Sequence, residues 1–287
     1  MASVGEVYNA ALKIAKEFDI SGADIRRLIA HDEGFHEQID VIFNRDKEMK
    51  SENLFYAQLE ELKSGKPVEY VMHEASFLQN KLYVDEHVLI PRGETEELVA
   101  NITERIRDYF DPRNYLVVAD IGTGSGAISI ALKQYFPNWM ITATDISSDA
   151  LKVAKLNFEK YNLPIEALKG DALDPFIKAN QKLDIIVSNP PYILNQEDAQ
   201  ASVRNYEPAN ALWLTKSNSV YEKIFANAYK VKKHALFIAL EISPDLEEWL
   251  VSLMNQYLHD YTYEFVSDLN GMKRFLFVFL RDENEND

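Results

Sequence analysis

Asn189-Pro190-Pro191-Tyr192 closes an apolar run, Leu183 to Ser188, and gathers a side-chain amide, a free carbonyl and an aromatic ring on one turn. The two prolines fix φ and remove two N–H donors. The first of them also pushes Asn189 toward an extended backbone. A second motif lies upstream, where Leu116-Val117-Val118-Ala119-Asp120-Ile121 runs into Gly122-Thr123-Gly124-Ser125-Gly126. It reads as a strand, a glycine turn and a helix start, a combination that lets backbone approach a ligand and leaves N–H groups free. The spacing G-x-G-x-G is not the G-x-G-x-x-G of the pyrophosphate fingerprint, and no Lys-Ser/Thr follows as in a P-loop.

Three acids stand at strand ends around that loop. Asp120 precedes it, where a carboxylate would repel a pyrophosphate but suit a cationic amino-acid headgroup. Asp145 ends the next strand and is placed for ribose hydroxyls. Asp171 follows the third strand in Lys169-Gly170-Asp171-Ala172. Together they favour a nucleoside with a positively charged tail, and S-adenosylmethionine fits that description. Taken singly, each has a plainer reading: a glycine turn, aspartates capping helices, and Asn-Pro-Pro as a strand stop.

The elements that must position these residues follow from periodicity. Val4, Val7, Tyr8, Ala11, Leu12, Ala15 and Phe18 form one helical stripe. Asp24 is a candidate N-cap for a second helix, a third covers about 35–44, and a fourth runs from Ser51 to Gly65-Lys66-Pro67. No strand signal precedes residue 76. Phe77, Leu82–Val84 and Val88–Ile90 then suggest a hairpin or a pair of short strands, before a helix from Glu94 to about Phe110. From residue 115 strands and helices alternate, with strands at Leu116–Ile121, Trp139–Thr144, Ile165–Lys169, Asp184–Ser188 and Ala235–Leu240. That pattern predicts an α/β fold with a parallel sheet covered on both faces. Tyr261–Ser267 and Arg274–Leu280, joined across Asn270-Gly271, predict a closing antiparallel hairpin.

Composition excludes several classes. The 287 residues carry 46 acidic and 30 basic side chains, a net charge of −16, so a basic face for gripping phosphate backbone is not expected. Residues 1–84 hold 15 acids and 10 bases, so the acidity is spread along the chain. With no cysteine there is no disulfide scaffold, zinc-thiolate site or cysteine nucleophile. The six histidines lack metal-ligand spacing, and His31 and His36 read as solvated surface. Phe77 and Phe110 read as packing residues. The start lacks the pattern of a signal peptide, no apolar run is long enough for a bilayer, and residues 281–287 read as a frayed acidic tail. A cytoplasmic protein without membrane contact is expected.

The glycine loop, Asp145, Asp171 and Asn189–Tyr192 resemble the class I methyltransferases that alkylate planar nitrogens, among them adenine-N6 and protein-glutamine-N5 enzymes. The flanks narrow this. Lys66-Pro67-Val68-Glu69-Tyr70, Val88-Leu89-Ile90-Pro91-Arg92-Gly93-Glu94-Thr95-Glu96-Glu97 and Glu207-Pro208 with Ala211-Leu212 resemble the release-factor glutamine methyltransferases over essentially the whole chain. A family acting on a ribosomal protein shares the architecture but usually lacks Glu-Thr-Glu after Pro-Arg.

The resemblance implies a Rossmann-like methyltransferase sheet preceded by a helical bundle. The expected boundaries are 1–75 for a helical substrate-docking domain, 76–92 for a β-hairpin linker and 93–287 for the methyltransferase domain. It implies S-adenosylmethionine, leaving as S-adenosylhomocysteine, held by Asp120, Gly122, Thr123, Gly124, Gly126, Asp145, Ile146, Asp171 and Ala172, with Asn189 at its edge. Asn189, Pro190 and Tyr192 would be catalytic; Pro191, Arg92 and Glu207 would join them in binding substrate. The partner implied is a class 1 peptide-chain release factor, methylated on the glutamine of its Gly-Gly-Gln loop, with no metal and no direct nucleic-acid binding. The chemistry explains the residue types: an amide lone pair is delocalised, so acceptors for its N–H bonds must stabilise developing positive charge. This chain departs from the family pattern at Gly93, usually proline, and at His73 and Gln79, usually glycine.

Overall fold

The computed structural model describes residues 2–217 and 219–281, so the terminal acidic stretch beyond Arg281 lies outside the described residues. Two compact units are present, one formed by the chain up to Glu74 with Gln200–Tyr206, the other by Ala75–Ala199 with the chain from Glu207 onward.

The first unit is helical: α1 (Val4–Glu17), α2 (Gly22–Glu33), α3 (Asp40–Phe43), α4 (Glu52–Lys63), α5 (Val68–Met72) and α10 (Ala201–Tyr206). Val4, Val7, Ala11, Ile25, Leu28, Phe55 and Leu59 fill its core. Ser3 begins α1 through a capping box with Glu6. Phe18, placed on the stripe by periodicity, lies past the helix end and is exposed. The N-cap of α2 is Ser21, whose hydroxyl accepts from the Ala23 N–H, and not Asp24, which sits in the first turn. The stretch expected as a 35–44 helix yields only α3. After Pro67, α5 ends at His73, which holds a left-handed φ of 54°. A glycine at this position would hold the same φ without meeting the Cβ penalty.

The second unit opens with a small hairpin, β1 (Ala75–Phe77) and β2 (Asn80–Leu82), followed by α6 (Gly93–Arg105). Val88–Ile90 is not a strand. Val88 and Ile90 are buried, but the Ile90 N–H reaches the Glu207 carboxylate and not a neighbouring strand. A seven-stranded sheet comprises β3 (Val117–Ile121), β4 (Met140–Asp145), β5 (Glu166–Lys169), β6 (Leu183–Ser188), β7 (Lys232–Glu241), β8 (Tyr261–Ser267) and β9 (Lys273–Leu280). Its order is β5-β4-β3-β6-β7-β9-β8, parallel from β5 to β7 and antiparallel beyond. This is the parallel sheet with a closing hairpin expected from the sequence.

Helices α7 (Ala127–Tyr135), α8 (Ser148–Lys160), α9 (Asp174–Lys178), α11 (Ala209–Leu212), α12 (Val220–Val231) and α13 (Glu247–Tyr257) complete the unit. Alternate residues of one strand feed opposite apolar layers. On β6, Ile185 and Val187 join α6, α7 and α8 in one layer, while Ile186 joins α9, α12 and α13 in the other. Phe77 is fully buried in the first of these layers and Phe110 packs against it.

Register sets up the site. Ile121 pairs with Ser188, and Ser188 with Leu240, so β3, β6 and β7 end together. The topological switch lies between β4 and β6 on either side of β3, the position where open α/β sheets take ligands. Among the described residues no helix is long and apolar enough to cross a membrane, and no group of His, Asp or Glu could hold a metal ion.

Candidate active site

Along the C-terminal edge of β3–β6 lies a cavity of about 300 Å3. Its wall contains Gly122, Thr123 and Gly124 from the glycine loop, Asp145 and Ile146 after β4, Asp171 and Ala172 after β5, and Asn189, Pro190 and Pro191 after β6. Four consecutive strand ends thus converge on one space.

The loop is shaped by its neighbours. The Gly122 and Thr123 N–H groups donate to the Thr144 carbonyl at 2.8 and 2.9 Å. Asp145 accepts from the Gly124 N–H at 3.0 Å with one carboxylate oxygen and from the Ser147 N–H at 2.8 Å with the other. Burial raises its pKa, opposed by these N–H groups. Gly122 and Gly124 hold φ of 71° and 54°, and a Cβ on either would point into open space. The loop therefore presents bare backbone to the cavity, with a carboxylate beside it. That arrangement fits a nucleoside with a cationic tail, whose ribose and ammonium offer donors to Asp145 and to loop carbonyls. Asp171, across the cavity, pairs with Lys223 at 2.6 Å.

Five expected site residues stand off the wall. Asp120 is wholly buried beneath the loop, where one carboxylate oxygen accepts from Thr123 at 2.7 Å and Ser129 at 2.6 Å. Among the described residues its other oxygen has no hydrogen-bond partner, and burial pushes its pKa up to about 6. Gly126 packs under Phe158, whose ring would lie 2.5 Å from a Cβ there. Arg92 and Glu207 pair with each other, the Glu207 side chain being almost completely buried. They thereby fix the segment entering α6. Tyr192 is drawn into the apolar layer under α12, with its hydroxyl near Glu241.

The Asn189 turn is pinned on both sides. Before it, the Ser188 hydroxyl donates to the Ile121 carbonyl at 2.6 Å. After it, Ile193 N–H donates to the Leu212 carbonyl and Leu214 N–H to that of Ile193. Asn189 itself donates from Nδ2 to Thr95 Oγ1 at 2.9 Å, and Thr95 donates to Glu241 Oε2 at 2.7 Å. Glu241 is fully buried and its pKa is pushed up to about 7, first by burial. Oε1 has no hydrogen-bond partner among the described residues, although the Tyr192 hydroxyl lies close enough to act on the carboxylate electrostatically.

Thr95, Lys223 and Glu241 were not among the residues picked from sequence. A signal for Glu241 existed: it is an acid ending a parallel apolar strand, the same feature that singled out Asp145. Glu96 and Glu97, just after Thr95, also have specific partners. Glu96 accepts from the Leu78 N–H in the turn between β1 and β2, and Glu97 from the Leu269 N–H between β8 and β9.

Residues 99–212 match the family model described as "Methyltransferase small domain". The chain is 38% identical over 223 residues to the release factor glutamine methyltransferase of Bacillus subtilis, covering 77% of each chain. It is 37% identical over 246 residues to that of Streptococcus pneumoniae, covering 83% of this chain and 85% of the other. Among solved structures, the hMettl16 catalytic domain in complex with MAT2A 3'UTR hairpin 6 shares the fold. Its TM-score is 0.50 at 18% identity, over 71% of this chain and 76% of that one. With curated relatives matched at this identity across three quarters of its length, the chain belongs to the release factor glutamine methyltransferase family.

Proposed function

We propose that this protein transfers a methyl group from S-adenosylmethionine to the side-chain amide nitrogen of the glutamine in the Gly-Gly-Gln loop of a class 1 peptide-chain release factor, in the cytoplasm. The observation that carries the reading is the shared cavity: the bare glycine loop with Asp145 forms one side, and Asn189–Pro191 forms another. S-adenosylmethionine supplies a sulfonium-bound methyl that is electrophilic without further activation.

The chain's own residues do the rest. Gly122, Thr123, Gly124, Asp145, Ile146, Asp171 and Ala172 hold the cofactor. Asp120 and Gly126 support the loop from beneath. Asn189 Oδ1 and the Pro190 carbonyl accept the two N–H bonds of the glutamine amide, so the nitrogen gains charge in a place where acceptors already stand. The C–S bond breaks as the C–N bond forms, leaving S-adenosylhomocysteine neutral at sulfur, and the charged, now strongly acidic nitrogen gives up one proton to water. Pro190 and Pro191 have no N–H, so the turn offers acceptors without competing donors. Because no side chain of ordinary pKa could deprotonate an amide beforehand, orientation supplies most of the acceleration. Tyr192 backs the turn, and Arg92 with Glu207 holds the approach to α6. The helical unit, 1–75 in the sequence division, docks the release factor.

The test mixes purified protein with labelled S-adenosylmethionine and a class 1 release factor, unaltered or with its loop glutamine replaced, and locates the methyl by mass spectrometry. Label on that glutamine alone is expected. Absence of transfer to it, with cofactor binding demonstrated, would sink the reading. Asn189→Ala should reduce turnover about 100-fold or more while cofactor affinity stays within about threefold.

A further inference from the structure

An asparagine amide can be turned over by 180° at little steric cost, and only one of its two orientations puts an acceptor into the cavity. Something must choose. In this structure the choice falls to two side chains distant in sequence, Thr95 on α6 and Glu241 at the end of β7.

The logic is that of donor supply. An ionised carboxylate can only accept hydrogen bonds, while a hydroxyl has a single proton to donate. Glu241 Oε2, 2.7 Å from Thr95 Oγ1, takes that proton in a hydrogen bond. Thr95 then has only lone pairs to offer Asn189, so the NH2 end of the amide must face it, at 2.9 Å. Oδ1 is left for the cavity side, where Asn189 forms part of the wall. A proton on Glu241 Oε2 would reverse the chain: the acid would donate to Thr95, and Thr95 would donate to the amide oxygen. A proton on Oε1 would remove the charge that holds the Thr95 hydroxyl and so weaken the bias without reversing it.

We propose that Thr95 and Glu241 are positioning residues that fix the orientation of the Asn189 amide, so that its oxygen and not its nitrogen meets the substrate amide. This rests on the reading of Asn189 as the acceptor for the substrate N–H. A carboxylate buried this completely is costly to a fold, and the relay gives it a use. The groups facing it are Glu94 and Thr95 of α6, Arg274 of β9, the Tyr192 hydroxyl, and the Tyr221 hydroxyl, which donates to the Glu241 backbone carbonyl at 2.7 Å. Arg274 favours its ionised form; burial and Glu94 oppose it.

The experiment compares Thr95→Val, Thr95→Ser, Glu241→Gln and Asn189→Ala with the unaltered enzyme, recording kcat, cofactor Kd and the pH profile of kcat between about pH 6 and 8.5. Thr95→Val removes the hydroxyl at constant shape and should lower kcat roughly 10- to 100-fold with Kd unchanged. Thr95→Ser, which keeps the hydroxyl, should recover most of that loss. The unaltered enzyme should lose kcat on the acid side of about pH 7, and Glu241→Gln, having no such proton to bind, should lack that limb. If Asn189→Ala abolishes turnover while Thr95→Val stays within twofold of the unaltered enzyme, the relay is wrong and the reading of Asn189 survives. If Asn189→Ala turns over normally, the reading itself falls. Should Thr95→Val fail to fold, an acid limb of equal position in Glu241→Gln and the unaltered enzyme overturns the relay.

Discussion

The two ends of the cavity are built by opposite means. At the glycine-loop end the partners are close in sequence: Thr123 reaches Asp120 three residues back, and Gly124 reaches Asp145 at 21 residues' separation. At the Asn189 end they are remote, since Thr95 lies 94 residues from Asn189 and 146 from Glu241. The first end is one supersecondary unit that can shape itself; the second exists only after α6, β6 and β7 have assembled. Cofactor affinity should accordingly answer to local changes, and turnover to changes far along the chain.

Asp145→Ala gives the largest expected effect among further variants. It removes the acceptor for the Gly124 and Ser147 N–H groups together with the carboxylate assigned to the ribose. Cofactor Kd, read by titration calorimetry, should rise about 100-fold. The kcat at saturating cofactor should fall far less than in Asn189→Ala. Equal losses in both quantities would break the division between the two ends.

A smaller effect separates support from contact. Asp120 lies under the loop with a pKa of about 6, raised chiefly by burial. A carboxyl whose folded pKa exceeds its ordinary value binds its proton more tightly when folded. Its folded state therefore loses stability as pH rises from about 4 to about 6 and is level above that. The depth is about 3 kcal/mol for a shift of this size. Asp120→Asn should lack that loss, so its stability in urea should gain on the unaltered protein by about that much across this range. A difference that stays constant with pH would show that Asp120 is not protonated in this window.

The smallest effect concerns the segment carrying Thr95. Gly93 is the first residue of α6, where the N–H has no intrahelical acceptor, and a Cβ there would meet nothing. Arg92 before it already holds φ −107° and ψ 154°, the extended backbone that a following proline requires. Gly93→Pro should raise stability by about 0.5–1 kcal/mol with kcat unchanged. A fall in kcat would mean that the relay needs freedom at this helix start.

The same contrast explains what could be read beforehand. Asp145, the glycine loop and the Asn189 turn were legible because strand, turn and cavity-lining residue are contiguous. The sheet and its closing hairpin were legible through alternation and Asn270-Gly271. Arg92 and Glu207 read as substrate contacts through the resemblance, and nothing in sequence reveals that two charges 115 residues apart pair. Thr95 stood out only as part of the Glu94-Thr95-Glu96 motif, and its partners Asn189 and Glu241 stayed hidden for the same reason. Glu241 could have been found, had the rule of strand-end acids been extended past the third parallel strand.

The placement of α10 has a consequence for how the chain is made. The helical unit holds Gln200–Tyr206, and the Tyr206 hydroxyl donates to the Ser64 carbonyl at 2.8 Å. Between Glu74 and Gln200 the chain departs to form β1–β6 and the Asn189 turn. During synthesis the ribosome thus delivers five helices of the bundle, then most of the cavity wall, and only afterwards the last piece of the bundle. Folding of the two units is interleaved in time, and an N-terminal fragment cut at Glu74 leaves Ser64 without its tyrosine. Closing so long an excursion adds little entropy cost over a shorter one, because that cost grows only with the logarithm of length. The delay falls on rate: the bundle waits for its own chain.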